Sequence, residues 1–140
     1  MSKSDRDSDD APHVDNAVDE RKRVALKFLQ LIVAGQIDEA HERYVLPHAK
    51  HHNPLFAAGF PALREAMKEN HAQFPNKRFT VKNALGDGDL VAIHSHIVAR
   101  PGEAGYIAVH LLRFNNKKIA EMWDCIEAIP EDSPNKDGAF

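Results

Sequence analysis

Three tight turns in the second half of the chain constrain its fold more than any other feature. They are Gly86-Asp87-Gly88-Asp89, Pro101-Gly102-Glu103-Ala104-Gly105 and Asn115-Asn116-Lys117. They separate four apolar-rich runs, Lys77 to Leu85, Leu90 to Arg100, Tyr106 to Phe114 and Lys118 to Ile129. Turns this short cannot hold a crossover connection, so the four runs must form an antiparallel meander.

The first half has a different period. Val24, Leu26, Phe28, Leu29, Leu31, Ile32 and Val33 give one helix with a broad apolar face. Asp15 or Asn16 would cap it, and Gly35 would end it. A short helix over Asp38 to Tyr44 follows, with Asp38 as cap and Ala40, Tyr44 and Val45 turned inward. A third begins at Gly59-Phe60-Pro61, carries Leu63, Ala66, Met67, Asn70 and Phe74 on its face, and closes at Pro75. Pro47 and Pro54 bracket His48-Ala49-Lys50-His51-His52-Asn53, a stretch expected to hold only a loop or a very short strand. Helices first and a meander after them define an α+β layout.

Of the 140 residues, 43% are hydrophobic and 28% charged, values of an ordinary globular domain. Residues 1–16 are rich in Ser and Asp and are expected to be a disordered acidic tail, leaving 17–140 as one domain. Residues 1–20 carry seven acids against two bases; with a chain total of −3, the remainder sums to +2. A nearly neutral domain lacks the basic stripe that nucleic acid requires. No apolar run is long enough for a membrane span, and the polar N-terminus has no leader-like apolar segment. With Cys125 alone, no intrachain disulfide can form, and a cytoplasmic protein is expected.

The strands are apolar on both sides. In the third, Tyr106, Ala108, His110, Leu112 and Phe114 share one face, and Ile107, Val109 and Leu111 the other. Three helices can cover one face only. A homodimer or larger assembly packing sheet on sheet is the simplest cover for the other, with a C-terminal tail as the alternative.

Nine histidines supply most of the candidate chemistry. His94 and His96 lie two apart on one strand, His110 on the next, and Asp124 beside Trp123 on the last. These, with His48, His51 and His52 from the loop, are expected to converge on one cavity. A neutral imidazole titrates near working pH, and a neighbouring carboxylate orients it. Each residue also has a plain structural reading: Asp124 as a buried hydrogen-bond acceptor, His110 as a satisfied core histidine, His94 and His96 as lining of a wet sheet face, Tyr44 as helix packing. Glu121 and Glu127 fall on the face opposite Asp124. Gly88-x5-His94-x-His96 matches the opening of a cupin metal motif, with His110 as a possible third ligand. The expected glutamate arrives late, at Glu103, and the helical first half does not suit that barrel.

Tyr44 through His52-Asn53-Pro54, Gly86-Asp87-Gly88-Asp89-Leu90-Val91-Ala92, Lys118-Ile119-Ala120-Glu121-Met122-Trp123-Asp124 and Ile129-Pro130-Glu131 together resemble the SnoaL-like proteins of the NTF2-like superfamily. Within it the nearest resemblance is to bacterial proteins labelled predicted aldol-condensation enzymes, and it spans Val18 to Phe140. The resemblance implies a cone: three N-terminal helices packed on a strongly curved, mainly antiparallel sheet enclosing a pocket. It also implies an acid/base aspartate, here Asp124, supported by a histidine on the preceding strand, here His110. Polyketide cyclases and ketosteroid isomerases of this superfamily share the cone with different polar groups, so the fold does not fix the reaction.

The reading that follows is a cofactor-independent acid/base enzyme acting next to a carbonyl, as a cyclase, lyase or isomerase on a small organic substrate. Asp124 and His110 are its catalytic residues, and Tyr44, His52, Asn53, His94, His96 and Trp123 contact substrate. His52 and Asn53 are the donors to an enolate oxygen. The alternatives are a non-catalytic small-ligand-binding domain and a metal-dependent enzyme using His94 and His96.

Overall fold

In the computed structural model, backbone is described for residues 2–140 and side-chain surroundings for 16–140. Residues 1–15 of the tail expected at 1–16 therefore lie outside the residues whose side chains are described. Three helices, α1 (Ser2–Val33), α2 (Ile37–Tyr44) and α3 (Phe60–Gln73), pack on one face of a curved five-stranded sheet. The strands are β1 (Val45–His51), β2 (Arg78–Asp87), β3 (Leu90–Val98), β4 (Tyr106–Asn115) and β5 (Lys118–Ala128), in spatial order β1-β5-β4-β3-β2. The α+β class and the antiparallel β2 to β5 meander match the expectation from the turns.

Helix α1 presents Val24, Ala25, Phe28, Leu29 and Leu31 to the core. It does not begin at Asp15 or Asn16; the helical backbone runs through them from Ser2. It ends at Gly35, whose φ of +84° closes the last turn with Gln36 N donating to Leu31 O at 2.9 Å. Asp38 does not cap α2. Gln36 holds that position without a side-chain bond, and Asp38 sits in the first turn as partner of Arg64 and Lys68. On the sheet, Val91, Ile93, Ala108, Leu112, Phe114, Ile119 and Met122 complete the core.

The segment expected to be a loop or a very short strand is instead the seven-residue β1, parallel to β5. Pro47 is compatible with this because β1 is an edge strand, where a missing N–H breaks no ladder on the open side. The register between Val45 and Lys50 is irregular, which absorbs the proline. The consequence for function is direct: parallel pairing carries the chain after His51 alongside the middle of β5.

Candidate functional site

Strand alternation decides which side chains meet. On the helix-covered face, Val91, Ile93 and Ser95 of β3 stand beside Leu112, His110 and Ala108 of β4. His110 in turn stands directly opposite Asp124 of β5. Side chains directly opposite across an antiparallel pair have Cβ atoms about 5 Å apart. His110 is 9% exposed and Ser95 fully buried, while Asp124 is half-buried.

Asn53, just beyond β1, reaches Asp124 and donates Nδ2 to its Oδ2 at 3.0 Å. That loop is itself held. His51 donates Nε2–H to Ala57 O at 2.7 Å and accepts the Asn53 backbone N–H on Nδ1 at 3.2 Å, so its ring is used on both sides. Asn53 Oδ1 accepts from Leu55 N at 2.9 Å, an Asx-type turn that fixes the amide's orientation.

Three polar atoms on this wall are buried without a hydrogen-bond partner among the described residues: Asp124 Oδ1, His110 Nδ1 and Ser95 Oγ. They lie on three adjacent strands of one face. Burial pushes the His110 imidazole below its ordinary pKa, opposed in part by the Asp124 charge. The ring is thus neutral near pH 7, able to accept a proton or to donate one hydrogen bond. Past Asp124 the wall opens, since Ile126 on the same face is 53% exposed. Leu55 and Phe56, on the loop that holds Asn53, are exposed as well.

The other expected contacts do not join this group. His94 and His96 pair across the ladder with Val109 and Ile107 on the opposite face of the sheet, as alternation from Ser95 requires. There His94 Nδ1 accepts from Asn83 Nδ2 at 2.9 Å, His96 Nε2–H donates to Ala104 O at 2.8 Å, and the Phe140 ring lies 5.4 and 4.9 Å from the two imidazoles. The C-terminal segment therefore covers part of the outer face. His110 cannot be a third ligand to a metal at His94 and His96, because it points the other way. No group of three or more His, Cys, Asp or Glu suited to one ion occurs among the described residues.

Trp123, adjacent to Asp124, also faces outward, where His52 stacks on it at 5.1 Å. His52 Nε2–H donates to Glu121 Oε2 at 2.6 Å, and Arg113 Nε donates to Glu121 Oε1 at 3.1 Å. Those bonds hold the Glu121 carboxyl below the usual carboxylate range, with His52 the larger cause. His52 is therefore engaged away from Asp124, and the Asn53 amide, expected with it as a donor to an enolate oxygen, is bonded to Asp124 Oδ2 instead. Tyr44 closes α2 against the core with the Arg43 guanidinium 5.4 Å from its ring centre. Ser95 was missed as part of the site, and His51, expected on the cavity itself, instead holds the Asn53 loop. Ser95 was legible as the single polar residue in phase with Val91 and Ile93; nothing in the sequence marked His51 as the clamp of the Asn53 loop.

Two open cavities flank β1, and neither includes Asp124, His110 or Ser95. One, of about 310 Å³, is bordered by His48, Lys50, Arg113 and Glu121. The other, of about 410 Å³, lies between α2, α3 and β1.

A curved mixed sheet under three helices, with a carboxylate and an imidazole on its concave face, defines an α+β cone of the NTF2-like kind. The family comparison agrees: a SnoaL-like domain profile matches residues 25–122. The chain belongs to the SnoaL-like family. Among solved structures, it is similar to an NTF2-like protein of unknown function from Burkholderia xenovorans, at 23% identity over 84% of this chain and 91% of that one, with TM-score 0.64. It is also similar to a protein from Acidithiobacillus ferrooxidans provisionally assigned as a polyketide cyclase, at 20% identity over 77% and 88%, TM-score 0.63. A third, AclR from Streptomyces galilaeus, provisionally assigned as a hydroxylase, shares 20% over 79% and 90%, TM-score 0.66. Identities this low bear on the fold alone. No curated protein matches the sequence.

Proposed function

We propose that the chain is an acid/base enzyme that moves a proton on the carbon next to a carbonyl of a small, largely apolar molecule, as a cyclase, lyase or isomerase does. The observation that carries this reading is the Asp124–His110 pair: one carboxylate oxygen is held by Asn53, and the other, with His110 Nδ1, is buried on the same wall without a partner among the described residues. A held carboxylate with a free oxygen is prepared to accept a proton. In the proposed step the Asp124 carboxylate takes the proton from the substrate α-carbon, the C–H electron pair forms the enolate C=C bond, and the carbonyl π pair moves to oxygen. Protonated Asp124 then returns the proton at carbon or at a leaving group. The neutral His110, directly opposite across the ladder, shares the proton, while Asn53 orients the carboxylate. The exposed Ile126, Leu55 and Phe56 supply the apolar surface for the rest of the substrate.

The test is Asp124→Asn assayed against aromatic polyketides, steroids and short β-keto or β-hydroxy carbonyl compounds. Loss of turnover by about 10²–10⁴ with an unchanged melting temperature supports proton transfer by Asp124. Persistent turnover with stability lower by about 1–3 kcal/mol assigns the carboxylate to structure. If compounds bind the wild type and none is turned over, the chain is a ligand-binding domain.

A further inference from the structure

We propose that the cavity between α2, α3 and β1 is a second small-molecule site, for a neutral, hydroxyl-bearing apolar compound such as an alcohol or phenol, with His41 as its hydrogen-bond acceptor. The cavity has a volume of about 410 Å³, within the range of small-ligand pockets. Its apolar lining comes from Val45, Leu46, Pro47, Phe60 and Pro61.

His41 forms part of the same wall and is 5% exposed. Its Nδ1 stands 2.9 Å from Ile37 O. A backbone carbonyl can only accept, so Nδ1 carries the proton. In a neutral ring Nε2 is then a lone-pair acceptor, and it is buried with no partner among the described residues. Burial favours that neutral form, with Arg64 and Lys68 nearby acting in the same direction and the Ile37 carbonyl and Asp38 against it. An orphaned buried acceptor asks for a donor, which an ionised carboxylate does not offer.

The charged rim agrees. Arg64 is bonded to Asp38 and Glu42, and Lys68 to Asp38 and Glu65. Both cations are already matched by acids, so the rim has no free positive charge to attract an anion. The edges of Phe28 and Phe60 hold the imidazole, with ring centres 5.6 and 5.7 Å away, which leaves little freedom for Nε2 to turn elsewhere.

This site stands apart from Asp124 and His110, and its test reads His41 instead of turnover. Phenol and anisole, in which a methyl group replaces the donor hydrogen, are titrated into the ¹⁵N-labelled full chain while the histidine ring nitrogens are followed by NMR. The expected result is a shift of His41 Nε2 with phenol and about tenfold weaker binding of anisole, the worth of one hydrogen bond to a buried acceptor. His41→Phe should erase the preference, and it replaces the orphaned atom by an apolar ring. Equal binding of the two probes by the wild type, no His41 shift, or a phenol response confined to His110 would each overturn the proposal.

Discussion

Asn53 and Asp124, 71 positions apart in sequence, are joined by a 3.0 Å bond from the amide nitrogen of one to the carboxylate of the other. The bond ties the loop after β1 to the middle of β5. It also leaves Asp124 Oδ1 as the carboxylate oxygen without a hydrogen-bond partner among the described residues.

That bond makes Asn53→Ala an informative variant. It removes the donor and leaves Asp124 Oδ2 on a half-buried wall without a partner, at an expected cost of about 1–3 kcal/mol. Turnover should fall as well, because the free oxygen is no longer aimed. Chemical denaturation and steady-state rates on the same preparation check both effects. Unchanged stability would show that the contact is not maintained in solution.

The two buried imidazoles make stability depend on acid. Burial holds His41 and His110 below the ordinary histidine pKa, so each is neutral in the folded protein and binds a proton more readily when unfolded. Protons then favour the unfolded chain. Stability should be flat above about pH 6.5, the unfolded value, and fall as pH drops below it toward the folded pKa values. Urea midpoints at pH 7.5 and 5.5 measure the loss. His110→Gln should reduce the dependence and His41→Phe should reduce it further.

Ile107, Val109, Leu111 and Trp123 share the outer face of β4 and β5, and Val109 is 37% exposed. Phe140 covers only the flank at His94 and His96. The chain is expected to be a homodimer or larger through this face, and Leu111→Lys should yield monomers. Light scattering at micromolar concentration gives the answer, and a monomeric wild type refutes it.

Deleting residues 1–16 should leave the melting temperature within about 2 °C, since the segment has too little apolar area to contribute more than a fraction of a kcal/mol. A larger drop would mean that the segment docks on the domain.

The second half of the fold was readable because its signals are local. Gly86 to Asp89 and Asn115 to Lys117 dictate hairpins, and hairpins dictate antiparallel neighbours. β1 was not readable, because its strand character comes from β5, and prolines at 47 and 54 argue locally against it. The site divided the same way. Asp124 opposite His110 followed from strand phase. His94, His96, Trp123 and His52 were grouped with them on residue type, although alternation already placed His94 and His96 out of phase with Ser95, and Trp123 with Asp124. The engagement of His52 with Glu121 depends on where β1 ends beside β5, a long-range register that no local pattern carries.

The parallel pairing of β1 with β5 also bears on how the protein reaches its native state. The β2 to β5 hairpins close between near neighbours and can form early, whereas docking β1 requires closing a loop of about 70 residues, the slow kind of contact in folding. The Asn53 clamp on Asp124 would then be among the last contacts made in refolding. A chain stalled before that step would display an intact meander, and its carboxylate would swing free.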